Sequence, residues 1–303
     1  MSAHVPAIEL NNLVRRYGSN DAVNGLSLRV ERGRCYGFFG RNGAGKTTTI
    51  KCLLDLLRPT SGTVRVFGLD PAKHEVEVKS RLSYVPDQVG FYPWMTVKDT
   101  LEYAASFRSR WNRDTERVLL DRFRLPLGHK TNHLSKGQRT QLALIAAICP
   151  EPDMLVLDEP TSGLDPIVRR EFIQTVIGAY QDGAPGERTV FVSTHLISEF
   201  EGLIDDFTII DDGREVLTLD ADTARARYQK IYARFPSAPH QSFAVEGARL
   251  LHQHGREMQF VVNGNAADVR ARLAAHSPEA IETEALTLEE IFVATLNTAG
   301  AAA

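Results

Sequence analysis

Short unbroken apolar runs recur along the chain between stretches of helical spacing. "RCYGFFG" (34–40), "MLVLD" (154–158) and "TVFVST" (189–194) are the length of strands and lack a polar face, so they predict buried strands. Residues 7–33 and 62–68, including "LSLRV" and "TVRVFG", alternate instead and predict strands with one wet face. In "KTTTIKCLLDLLRP", Ile50, Leu53, Leu54 and Leu57 follow helical spacing, and Pro59 lies just beyond the expected end. Residues 92–148 are largely helical: Thr96 caps "VKDTLEYAASF", "DTERVLLDRF" is amphipathic, and "GQRTQLALIAAIC" stops before Pro150. "DDGREVLTLD" is a hairpin with Asp212–Gly213 at its turn. Beyond about residue 220, "KIYARF" and "REMQFVVNG" predict strands and "AADVRARLAAH" a helix. "TLEEIFVATL", capped by Thr287, predicts a last amphipathic helix before the frayed tail "NTAGAAA".

Composition removes several classes of function. The 303 residues are 43% hydrophobic, enough for one large domain or a main domain with a smaller one. A net charge of -3 gives no bulk basic field for nucleic acid or lipid. Cys35, Cys52 and Cys149 are scattered and read as reduced core residues. No apolar run approaches the ~20 residues of a membrane span. "MSAHVPAIEL" lacks the basic-then-apolar order of a secretory signal. Work at a membrane would therefore go through a partner.

The chemistry starts at "GRNGAGKTTT" (40–49), which fits G-x-x-x-x-G-K-[ST] between a strand and a helix. Glycines let successive N–H groups curl into an anion nest, and the following helix aims its positive end at the same place. Gly40, Asn42, Gly43, Ala44, Gly45, Lys46, Thr47 and Thr48 are the expected phosphate cradle. Lys46 supplies charge for the β- and γ-phosphates, and the Thr47 hydroxyl a ligand for Mg²⁺. A second strand must bring acid. In "MLVLDEPTSGLDP" (154–166), Asp158 and Glu159 stand at a strand end, the first to hold Mg²⁺ and the second to polarise the attacking water.

"LSKGQ" (134–138) precedes "LDEP", "SGLD" (162–165) follows it, and "VSTHLISE" (192–199) carries His195. With these motifs the chain resembles the nucleotide-binding subunits of ABC transporters over residues 6 to about 218. The resemblance implies an α/β P-loop NTPase (RecA-like) core with a small antiparallel β subdomain and an α-helical insert at about 92–148. A small α+β accessory domain at 220–296 would follow the cassette at 6–218. Tyr17 would stack on adenine, and His195 would hydrogen-bond the γ-phosphate. Ser135, Gly137 and Gln138 would touch ATP held by a second ABC ATPase subunit in a head-to-tail dimer. ATP and Mg²⁺ are the implied substrate and cofactor, and a separate transmembrane permease subunit is the implied partner. Nucleic acid is not. The chain would reach the cytoplasmic face of the membrane only through its permease, and it looks most like exporters.

Two positions depart from the family. Lys136 replaces the first glycine of the usual signature and is expected to face outward and be tolerated. The Q-loop glutamine should follow Pro86, where Asp87 stands with Gln88 next; both are candidates for metal or water. Phe91, Tyr92 and Trp94 in "FYPWM" lie where the family receives a coupling helix, and read either as core or as an exposed dock. "HQH" (252–254) reads as solvated strand residues rather than a metal pair. A soluble ABC ATPase acting on nucleic acid or ribosomes, or a regulatory nucleotide-binding module, is the alternative. The single cassette disfavours the first and Glu159 the second.

Overall fold

A computed structural model describes residues 5–181, 188–239 and 244–299. The first four residues and the last four, parts of the segments read above as signal-free N-terminus and frayed tail, lie outside them. The chain divides into two compact units, Met1–Val216 and Leu217–Ala303.

The first unit opens with β1 (Ile8–Tyr17) and β2 (Asn20–Val30), then β3 (Cys35–Gly40), α1 (Lys46–Leu53) and β4 (Ser61–Val66). Alternation works as expected in the small antiparallel sheet, ordered β2-β1-β4. Its inward residues Ile8, Leu10, Leu13, Leu26 and Val66 join Ile50 and Leu53 of α1 and Phe38 of β3 in one core. Helix α1 ends earlier than its apolar spacing suggests. Asp55 takes φ 53°, and the N–H groups of Leu56 and Leu57 both turn back to the Lys51 carbonyl. The left-handed residue and these return bonds close the helix before Pro59 is reached.

Next come α2 (Glu75–Arg81), β5 (Leu82–Val85), α3 (Val97–Ser106), α4 (Arg113–Phe123), α5 (Lys136–Ile148) and β6 (Met154–Asp158). Thr96 caps α3 with a reciprocal Asp99 bond. Asn112 caps α4, and Ser135 with Gln138 forms the same reciprocal box on α5. Then α6 (Pro166–Gln181), β7 (Thr189–Thr194), β8 (Asp206–Asp211) and β9 (Arg214–Asp220) complete a six-stranded sheet, ordered β5-β6-β7-β3-β8-β9. The first five strands are parallel. β9 returns through Asp212 and Gly213, both at positive φ, as the hairpin turn requires. Every residue of β3, β6 and β7 is buried. Tyr36 stacks on Phe191 at 5.9 Å, and its hydroxyl meets Thr208 Oγ1 at 2.7 Å. Burying each such ring contributes ~1.5–3 kcal/mol.

The second unit holds α7 (Ala221–Arg227), β10 (Tyr228–Arg234), β11 (Ala248–His254), β12 (Glu257–Asn263), α8 (Ala266–Ala274), β13 (Ala280–Ala285) and α9 (Leu288–Ala299). Its antiparallel sheet runs β11-β12-β10-β13, and Val269 and Leu273 of α8 pack on Ile231, Met258 and Phe260. Thr287 caps α9 through the Glu290 N–H. His252 pairs across with Gln259 and His254 with Glu257. No cluster fit for a metal occurs among the described residues. All three cysteines are buried and free.

Candidate nucleotide site

Strand order and register bring the chemistry together. β6, β7 and β3 are neighbours, with Asp158 opposite Ser193 and Phe39 opposite Thr194. Their carboxyl ends therefore place Asp158–Glu159, His195 and the Gly40 loop side by side, at the crevice where open parallel sheets bind ligands.

The loop is shaped by close approach. Gly45 sits at φ 102°, and a Cβ there would stand 2.3 Å from the Ala22 carbonyl oxygen, so only glycine fits. Asn42 and Gly43 are exposed, Ala44 is buried, and Thr47 and Thr48 are half-buried. Lys46 opens α1 and is 5% exposed. Its ammonium donates to the carbonyls of Gly40 (2.7 Å) and Arg41 (3.2 Å). It also pairs with Glu159 Oε1 at 2.9 Å. Glu159 takes φ 46°, its N–H bonded to the Ser193 carbonyl. Its Oε2 lies 2.8 Å from His195 Nδ1 and accepts from the His195 N–H at 3.3 Å. The predicted cation, acid and histidine thus form one contiguous chain of contacts.

Asp158 is fully buried. Burial pushes its carboxyl above the usual range, the Thr47 and Ser193 hydroxyls pull it partly back, and the charges of Glu159 and Asp87 add to the rise. Its Oδ1 has no hydrogen-bond partner among the described residues. An orphaned carboxylate oxygen beside a threonine hydroxyl fits Mg²⁺, which takes one or two protein carboxylates with phosphate and water. Tyr84, which sequence reading missed, donates to Asp158 Oδ2 at 3.5 Å. Burial, followed by the Asp158 charge, raises its phenol. Only the fold could reveal this contact, because it joins positions on different strands.

A raised carboxyl means that the folded state disfavours the ionised form, so Asp158 costs stability at neutral pH and less as pH falls. Asp158→Asn is expected to raise the melting temperature of the protein without nucleotide, because it removes a buried charge that the fold disfavours. The gap from wild type should close in acid. Thermal melts across pH check this, and a lowered melting temperature at neutral pH would refute it.

Asp87 is half-buried and acts on both Asp158 and Tyr84, whereas Gln88 is exposed. Tyr17 is 44% exposed, with the Arg15 guanidinium 4.7 Å over its ring. Ser135 and Gln138 bond each other's backbone N–H groups at the start of α5, and Gly137 is half-buried there. Lys136 is exposed as expected, but its ammonium is turned onto the Ser162 carbonyl.

Tyr92 and Trp94 are 47% and 64% exposed, with ring centroids 5.0 Å apart; Phe91 is half-buried. Tyr103 and Phe107, from and just after α3, extend the row edge-to-face. The core reading of this cluster is thereby set aside for Tyr92 and Trp94. Helical spacing on α3 was the available signal for its two further members.

The sequence pattern of the family described as ABC transporter matches residues 23–162, spanning the loop, the signature and Glu159. The Bacillus licheniformis "Bacitracin transport ATP-binding protein BcrA" is 34% identical over 251 residues, 82% of this chain and 79% of that protein. The Streptomyces peucetius "Daunorubicin/doxorubicin resistance ATP-binding protein DrrA" is 38% identical over 217 residues, 69% of this chain and 64% of that protein. Among solved structures, one described as "ATP binding subunit of ABC transporter" superposes with a TM-score of 0.65 at 28% identity, covering 73% of this chain and 92% of that one. The dimeric cassette MJ0796 superposes at 0.62 with 23% identity, covering 71% and 98%, a likeness of fold.

Proposed function

Because the chain belongs to the ATP-binding proteins of ABC transporters, we propose how its own residues divide that family's work. The protein is the ATP-binding subunit of an ABC exporter and hydrolyses ATP for transport. Cassettes of this family dimerise and act with permeases. None of the described helices is long and apolar enough to cross a membrane.

The observation that carries the assignment of roles is the contact chain from Lys46 through Glu159 to His195, beside Asp158. The Gly40–Thr48 loop binds the ATP phosphates, with Lys46 exchanging its Glu159 contact for phosphate oxygens. Asp158 and Thr47 would hold Mg²⁺, and Asp87, rather than the exposed Gln88, would reach toward it. When bound, the ion neutralises charge on the β- and γ-phosphates. Glu159 takes a proton from the attacking water, and His195 holds the γ-phosphate while remaining near Glu159. Tyr17 offers its exposed face to adenine. Ser135, Gly137 and Gln138 meet the ATP of a second subunit. The test is a purified sample with and without MgATP: turnover and a rise in mass by light scattering are expected together. No turnover would overturn these roles.

The permease partner seats its coupling helix on the Tyr92–Trp94–Tyr103–Phe107 row, which holds the protein at the cytoplasmic face of the membrane and leaves choice of exported compound to the permease. Aromatic anchors of this kind each contribute on the order of 2 kcal/mol or more to association. Trp94→Ala is expected to weaken co-purification with the permease while leaving the melting temperature nearly unchanged, since truncating a core Trp would instead cost ~3–5 kcal/mol of stability. A large loss of stability with association intact would place docking elsewhere.

A further inference from the structure

Lys136, the residue that departs from the usual signature, has a specific seat. It is the first residue of α5, and its Nζ donates to the Ser162 carbonyl at 2.6 Å. Ser162 belongs to the turn that leaves Glu159: its own N–H returns to the Glu159 carbonyl at 3.1 Å, and the Leu164 N–H to the Thr161 carbonyl at 3.1 Å. Gly163, next in the turn, takes φ 69°, and a Cβ there would lie 2.9 Å from Lys136 Nζ. A side chain at 163 would displace the ammonium from its seat, and the positive φ favours glycine for the turn itself.

Other contacts hold the same turn. The fully buried Thr161 donates through its hydroxyl to Glu199 Oε2 at 2.5 Å. Arg169 of α6 pairs with Glu199 Oε1 at 2.7 Å and donates to the Leu164 carbonyl at 3.1 Å. Glu199 lies four residues past His195, so this part-buried network ties the turn to the histidine segment. Lys136 differs from the two Glu199 contacts. It is exposed, and its recorded partner is a neutral carbonyl rather than a carboxylate. A single solvated bond of this kind is easier to make and release than the carboxylate contacts.

We propose that Lys136 is a positioning residue for ATP hydrolysis: by holding the Ser162 carbonyl it fixes the turn that begins at Glu159, and so aims that carboxylate from the signature helix of the same chain. The role rests on Glu159 being the base. A displaced base loses rate steeply with small shifts in position while nucleotide binding is unaffected.

The experiment compares steady-state ATPase kinetics and melting temperature of the full chain as wild type, Lys136→Met and Lys136→Arg. Lys136→Met keeps the side-chain stem and is expected to lower kcat roughly tenfold with KM for ATP and melting temperature unchanged. Lys136→Arg, which retains a donor, should recover most of the rate. In a Glu159→Gln background, Lys136→Met should add little further loss, because the lysine acts through that carboxylate. An unchanged kcat, an effect on KM alone, no recovery by arginine, or the same tenfold loss without the glutamate would each overturn the proposal. Absence of turnover in the wild type would instead overturn the ATPase roles, and this one with them.

Discussion

Replacing Lys46 with alanine is expected to all but abolish ATP binding. The lysine is nearly buried and sits within hydrogen-bond reach of two loop carbonyls and in contact with Glu159. Those oxygens hold the ammonium at the mouth of the nest, where phosphate oxygens would arrive. Losing one partner of such a charge-assisted contact costs ~2–5 kcal/mol, or roughly 30- to 5,000-fold in Kd. The variant also leaves Glu159 Oε1 without its cation, so that carboxylate would repel the incoming phosphates. Calorimetric titration of the folded variant with ATP measures the effect. An affinity equal to wild type would remove Lys46, and the loop with it, from the nucleotide site.

Glu159→Gln is expected to bind ATP at least as well as wild type and to hydrolyse it ~10²–10⁴-fold more slowly, the usual contribution of a positioned general base. Glutamine keeps the size of the side chain and can still meet His195 Nδ1. It lacks the negative charge that takes the proton from water. It also lacks the charge that competes with phosphate for Lys46 at 2.9 Å. Closure without cleavage should therefore accumulate an ATP-bound dimer. Single-turnover kinetics and light scattering in MgATP test both halves. Near-normal hydrolysis would exclude Glu159 as the base.

Much of the site was readable in the chain because it depends on local chemistry. "GAGK" encodes a loop that only small residues can form, and "LVLD" a strand that must be buried, each with its reactive residue at the next position. The capping boxes at Thr96 and Ser135 follow from residues three apart. The less patterned elements were harder. α2 is short and mostly exposed, and β13 is mostly exposed, so neither carries strong periodicity. β11 contains an irregularity between Leu250 and His252 that breaks its alternation.

By itself the sequence pointed to candidate residues for the chemistry and to the strongly patterned strands, loops and helices, because backbone permissiveness, burial and capping are set within a few positions. Tertiary structure alone decided the partners. Lys46 to Glu159, Tyr84 to Asp158, Lys136 to Ser162 and Thr161 to Glu199 all join positions on separate elements. Their meeting follows from the strand order β6-β7-β3 and the packing of α5 and α6. It also fixed the exposure of Trp94, since an aromatic loop is equally compatible with core and surface until its neighbours are in place. Such contacts depend on the register of distant strands, and no local pattern encodes that register.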